Sequence, residues 1–163
     1  MMLTVTDILG ASVLIVDDES ANVMLLERLL RETGYTNVRS TLTPGDVAAS
    51  HREHRHDLIL LDIQMPGMDG FAVMEALKAD AADSYLPVIV LTAQPAHKLR
   101  ALQAGAKDFI SKPFDLLEVT TRIRNMLEVR LLHRKLAAHN ELLEQAVRDR
   151  TTALRQSDSG FAV

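Results

Sequence analysis

The 163-residue chain contains no cysteine and no tryptophan, and aromatic residues make up only 4% of it. Without cysteine there is no disulfide, no thiolate metal site and no thiol nucleophile. That composition agrees with a reducing, cytoplasmic setting. Long hydrophobic runs are missing too: SVLIV and YLPVIVL are far too short to cross a bilayer. The opening MMLTVTDILGA has no basic stretch and carries Asp7, unlike a secretory signal. Basic charge is scarce where a nucleic-acid module needs it. Residues 1–115 hold 10 Lys/Arg against 16 Asp/Glu, a net of −6, whereas residues 116–156 hold 8 against 5, a net of +3. No zinc-finger spacing or set of base-stacking aromatics accompanies the basic tail, so direct nucleic-acid binding is not expected.

What is present is alternation. Five short apolar runs, Val13–Val16, Val38–Thr41, Leu58–Leu61, Val88–Leu91 and Lys107–Ile110, are separated by helical patterns. The first, third and fourth are nearly continuous Val, Ile and Leu, as strands buried on both faces of a parallel sheet read. The first helical pattern spans about 20–33, with Val23, Leu26, Leu29 and Leu30 inward and Gly34 as its stop. The second follows the Thr43-Pro44 capping pair. The third covers Phe71–Ala79, and the fourth covers Pro95–Ala104 before Gly105. The fifth starts at Asp115, whose side chain can cap Glu118 while that glutamate reaches back. Repeated right-handed βα units of this length predict an α/β, open, doubly wound parallel sheet, whose ligands bind at the carboxyl ends of the strands.

That topology gathers chemistry from distant positions. Asp17, Asp18 and Glu19 follow the first strand, Asp62 the third, Thr92 the fourth and Lys112 the fifth. Each alone is an ordinary strand-end turn or cap residue; it is their arrangement that carries information. Three carboxylates at one sheet edge repel one another unless a cation sits among them, and Mg²⁺ takes oxygen ligands of this kind. Asp18 and Asp62 are the best direct ligands, with Asp17 acting directly or through water. Lys112 adds a fixed cation and Thr92 a hydroxyl donor. A transferring phosphoryl group needs such a set, with a carboxylate as nucleophile. Asp62 ends the most hydrophobic strand before a Met-Pro-Gly turn and is therefore the carboxylate presented outward.

With VLIVDDE, DLILLDIQMPGMDGF, LPVIVLTA and AGAKDFISKPF in register, residues 12 to about 128 resemble the receiver domains of two-component response regulators. The resemblance implies a flavodoxin-like, five-stranded sheet in the order 2-1-3-4-5. It implies Asp62 as phosphoacceptor, Asp17 and Asp18 as metal-binding acids, and the backbone carbonyl of Gln64 as the remaining protein ligand. Thr92 would be the switch threonine, Phe109 the switch aromatic, Lys112 the phosphate-sensing lysine, and the Lys112–Pro113 bond cis. The implied donor is a sensor histidine kinase or a phosphotransfer protein. Whether Phe109 moves on phosphorylation or stays permanently buried is left open. Two other classes compete: a Mg²⁺-dependent phosphohydrolase of small molecules, for which the loops are too short to form a substrate cap, and a phosphorylation-independent dimerisation or adaptor module. The expected protein is not an enzyme acting on an external metabolite.

The expected organisation is an N-terminal extension (1–11), the receiver (12–128), a projecting helix or coiled-coil linker (129–156) and a disordered tail (157–163). Residues 115–155 contain neither proline nor glycine and favour helix throughout. Glu118–Arg122 and Glu144–Arg148 are spaced as supporting pairs. A seam of Val129, Leu132, Leu136 and Leu143, interrupted by His139 and small at Ala146, predicts a parallel homodimer. A helix of this kind fits either a stand-alone receiver with a dimerising stalk or, the favoured expectation, a fragment whose C-terminal output domain is missing. His51, His54 and His56 are expected on a solvated surface; His97, His133 and His139 have no paired ligand in view.

Overall fold

A computed structural model describes residues 2–79 and 86–160, with side chains through Gln156. The chain falls into two units, one over Met2–Leu131 and one from Leu132 onward. The first contains β1 (Ser12–Val16), β2 (Asn37–Thr41), β3 (Leu58–Asp62), β4 (Val88–Thr92) and β5 (Asp108–Ser111), all parallel and ordered β2-β1-β3-β4-β5. The helices are α1 (Val5–Leu9), α2 (Ser20–Thr33), α3 (Val47–His54), α4 (Gly70–Lys78), α5 (Pro95–Gln103) and α6 (Leu116–Gly160), the last continuing into the second unit. No helix among the described residues is long and apolar enough to cross a membrane.

Every residue of β1, β3 and β4 is buried, because successive side chains alternate between two helical layers. Val13, Ile15, Leu58, Leu60, Ile89 and Leu91 pack with Leu26 and Leu30 of α2 and with Val119, Ile123 and Leu127 of α6. Leu14, Val16, Ile59, Leu61 and Val90 face the opposite way, onto Phe71, Val73 and Met74 of α4 and Ala101 of α5. The register pairs Val16 with Leu61, Asp62 with Leu91 and Thr92 with Ser111. The carboxyl ends of four strands therefore lie along one edge.

Several local expectations are revised. Thr43 makes no side-chain cap; Pro44–Asp46 form a single 3-10 turn and the α-helix begins at Val47. Asp115 does accept from the amides of Leu117 and Glu118, but the Glu118 carboxylate goes to Arg122 instead of back to the cap. Arg148 donates to Gln145 and not to Glu144. Within the expected N-terminal extension, Thr4 and Asp7 form a reciprocal capping box on α1, and Ile8 and Ala11 enter the core. Helix α6 runs to Gly160, past the expected limit at 156, and residues 161–163 of the expected tail lie outside the described residues.

The histidines are the largest correction. His51 and His56 are buried at 1% and 0% exposure, and only His54 of the three is partly exposed. Hydrogen bonds replace the lost water: the His56 ring lies 2.9 Å from both Ser12 Oγ and Ser50 Oγ, and its amide donates to His51 Nδ1. Burial first, and then the neighbouring His51 and His54, hold the His56 imidazole down at about 4, so it is neutral in ordinary buffers. Next to it Asp57 accepts from the Ser12 amide at 3.0 Å and pairs with Arg130 of α6 at 3.4 Å. Both partners are almost fully buried.

Candidate functional site

Strand ends bring the predicted residues together. One carboxylate oxygen from each of Asp17, Asp18 and Asp62 lies within 4.8 Å of the other two. Asp17 and Asp62 are 0% and 3% exposed, and Asp18 is partly exposed. Asp17 is fixed from two directions: the Glu19 amide donates to its Oδ1 at 2.9 Å, and Asn22 Nδ2 donates to its Oδ2 at 3.2 Å. Asn22 went unnoticed in the sequence, although its position in the first turn of α2 puts it over the strand end.

Asp62 is positioned by the close arrival of α4. A Cβ on Gly70 would stand 2.8 Å from the Asp62 carbonyl oxygen and 2.9 Å from Ile63 Cα, so only glycine lets the helix begin there. The Asp69 side chain caps this helix by accepting from the Ala72 amide. The Gln64 amide donates to Asp62 Oδ1 at 3.3 Å.

The cation expected from the sequence is in place. Lys112 Nζ is 3.2 Å from Asp62 Oδ1 and 3.4 Å from Asp17 Oδ2, and the Lys112–Pro113 bond is cis. Burial works against the Lys112 ammonium, but Asp62 and Asp17 together outweigh it and hold its proton above the ordinary lysine value. Asp62 moves the other way for a carboxylate. Burial, and then the charge of Asp17, push it up to about 6 in spite of Lys112. One ammonium does not balance three acids, which is the electrostatic signature of a site with room for a further cation. Three convergent carboxylates offer the hard oxygen donors that Mg²⁺ takes.

Thr92, 3% exposed, ends β4 beside the Asp62 strand; its hydroxyl exchanges hydrogen bonds with the Gln94 backbone, donating at 3.3 Å and accepting at 3.1 Å. Phe109 on β5 is not in the acid cluster and is only partly buried. Its ring lies between two cations, with Lys98 Nζ 4.6 Å and Arg122 Cζ 5.4 Å from the centroid. The fully buried alternative for Phe109 does not describe this structure.

The comparisons with known proteins agree with this architecture. The response regulator receiver domain family matches residues 13–124. The response regulator PleD of Caulobacter vibrioides is 37% identical over 126 residues, covering 76% of this chain and 28% of PleD. The transcriptional regulatory protein YvrH of Bacillus subtilis is 40% identical over 121 residues, covering 73% of this chain and 50% of YvrH. The chain thus spans half or less of the length of these two relatives. Among solved structures, a putative response regulator from Chloroflexus aurantiacus superposes with a TM-score of 0.69 at 30% identity, covering 73% of this chain and 98% of that one. The receiver domain of a sensor histidine kinase from Pseudomonas aeruginosa, solved with magnesium in its active site cleft, gives 0.67 at 30% identity and the same coverage. By sequence and fold together, the chain belongs to the receiver-domain family of response regulators.

Proposed function

We propose that Asp62 accepts a phosphoryl group from a sensor histidine kinase or a phosphotransfer protein in a Mg²⁺-dependent reaction. The observation that carries this reading is the buried Asp62 carboxylate, within 4.8 Å of two other acids and 3.2 Å from Lys112 Nζ. Asp17, Asp18, Asp62 and the backbone carbonyl of Gln64 would hold the metal. Bound there, Mg²⁺ would neutralise phosphoryl oxygens and favour the ionised carboxylates. An Asp62 oxygen attacks phosphorus as the bond to the donor imidazole breaks; the electron pair returns to that nitrogen, which takes up a proton. Lys112 then pairs with the phosphoryl oxygens, and Thr92 turns its hydroxyl from Gln94 to one of them. That leaves room for Phe109 to come inward from between Lys98 and Arg122, which is the proposed switch. The chain acts chemically on itself and turns over no external metabolite.

Intact-mass measurement after treatment with a small phosphodonor and Mg²⁺ tests the assignment. One added phosphoryl group is expected in wild type and none in Asp62→Asn; equal labelling of both disproves it.

The proposed setting is the cytoplasm, with the receiver occupying roughly 12–128 and α6 continuing as a dimer helix. Val129, Leu132, Leu136 and Leu143 are 41–51% exposed, apolar surface available to a second copy. Any output domain would be reached through this helix. Sedimentation of the full chain against one ending at Leu131 tests the pairing; monomers in both cases at tens of micromolar would rule it out. Ending at Leu131 keeps Arg130 and its buried pair with Asp57.

A further inference from the structure

An open groove of about 430 Å³ starts at Asp18 and at Ile63 and Gln64, the two residues that follow Asp62. Its far side is formed by Phe71, His97 and Arg100. The Arg100 guanidinium lies 3.8 Å from the centre of the Phe71 ring, held by that face and by no carboxylate among the described residues. His97 meets the same ring edge-on at 6.3 Å, and its Nδ1 has no hydrogen-bond partner among the described residues. The same groove that Asp18 and Asp69 line therefore also presents an exposed guanidinium, which has no carboxylate partner among the described residues.

In-line transfer gives that cation a role. The leaving group departs on the side of phosphorus opposite the attacking Asp62 oxygen, and Asp62 is 3% exposed at the base of the site. The leaving group must therefore lie toward open solvent, where the groove is. We propose that Arg100 is a specificity-determining residue that favours small acyl phosphates as direct donors to Asp62, by receiving the carboxylate they release. This rests on Asp62 being the acceptor. In the step, an Asp62 oxygen forms a bond to phosphorus while the phosphorus–oxygen bond to the acyl group breaks. The electron pair stays on that oxygen, and the acid leaves as its carboxylate anion without needing a proton. Guanidinium N–H groups are suited to a carboxylate and give nothing to a donor whose leaving atom is an amine. Stacking on Phe71 limits the freedom Arg100 must give up to make the contact.

The test compares phosphorylation rates with acetyl phosphate, which releases acetate, and with phosphoramidate, which releases ammonia, read by intact mass over time. Wild type, Arg100→Met and Arg100→Lys are measured in Mg²⁺. Methionine keeps an apolar body over Phe71 and removes the charge. The ratio of the acetyl phosphate rate to the phosphoramidate rate should fall roughly three- to fivefold in Arg100→Met, the range of an exposed ion pair, with Arg100→Lys in between. Raising the salt should bring the wild-type ratio toward that of Arg100→Met. An unchanged ratio, or an equal fall with both donors, overturns the role of Arg100. Failure of wild type to label with either donor overturns the Asp62 reading itself, a result distinguishable from both.

Discussion

Replacing Asp62 by asparagine should make the metal-free fold more stable at neutral pH. Asp62 is 3% exposed, and its folded value of about 6 stands above the ordinary 3.8. Below pH 4 the carboxyl keeps its proton in both folded and unfolded chains, and ionisation costs the fold nothing. As pH rises toward 6 the unfolded chain releases its proton first, so stability falls, and the full loss is present above the folded value. About two pKa units at 1.36 kcal/mol each set this loss at up to ~3 kcal/mol. Asparagine keeps the shape and cannot ionise, so it escapes the loss. For a domain of this size that is roughly a 10 °C difference in midpoint. Urea or thermal unfolding of both proteins in EDTA, from pH 4 to pH 8, reads the effect. His56 titrates near the acid end, but it does so in both proteins and leaves their difference unchanged. The gap should open from near zero at pH 4 to ~2–3 kcal/mol above pH 7, the mutant being the more stable. Millimolar Mg²⁺ should shrink or invert it, since the wild-type site keeps the greater negative charge. A gap independent of pH, or a mutant less stable than wild type above pH 7 in EDTA, would refute the reasoning.

Arg130→Met leaves Asp57 buried without its guanidinium and should cost ~3–5 kcal/mol in urea unfolding; a change under 1 kcal/mol would mean that water or Ser12 already satisfies Asp57. Gly70→Ala forces a methyl against the Asp62 carbonyl and Ile63 Cα. It should lose ~1–3 kcal/mol and slow phosphorylation as well, whereas normal stability and rate would show that α4 can retreat freely. Ring signals of Phe109 in NMR should shift when a phosphate analogue is added, as the ring leaves Lys98 and Arg122. Identical spectra would remove Phe109 from the switch.

The sheet and the acid site were legible because their signals are local. Runs such as SVLIV, LILLD and VIVLT are buried on both faces, and such strands need little context to be read. Once they are parallel, Asp17, Asp62, Thr92 and Lys112 must share an edge. The buried polar layer at the amino ends of the strands was not legible. His51, Arg52, Glu53, His54 and Arg55 read as a charged helix end. Only the packed structure shows that Ser12 and Ser50 give His56 a dry place, and that Arg130, in a helix 73 residues away in sequence, reaches Asp57. Asn22 and Arg100 escaped for a related reason: their meaning lies in what stands opposite them, Asp17 in one case and Phe71 in the other. The capping box of α1 was readable from Thr4 and Asp7 alone, but a short apolar segment gives no periodicity to distinguish it from a loose extension.

The central claim, that Asp62 receives the phosphoryl group, is tested most directly by trapping the product chemically. Protein phosphorylated in Mg²⁺ is reduced with borohydride, which converts an aspartyl phosphate to homoserine and leaves free carboxylates untouched, and the peptides are then sequenced by tandem mass spectrometry. Homoserine should appear at position 62 and at no other aspartate, and the Asp62→Asn protein should yield none. Homoserine at Asp17 or Asp18, or a phosphorylated protein with none at position 62, would contradict the account.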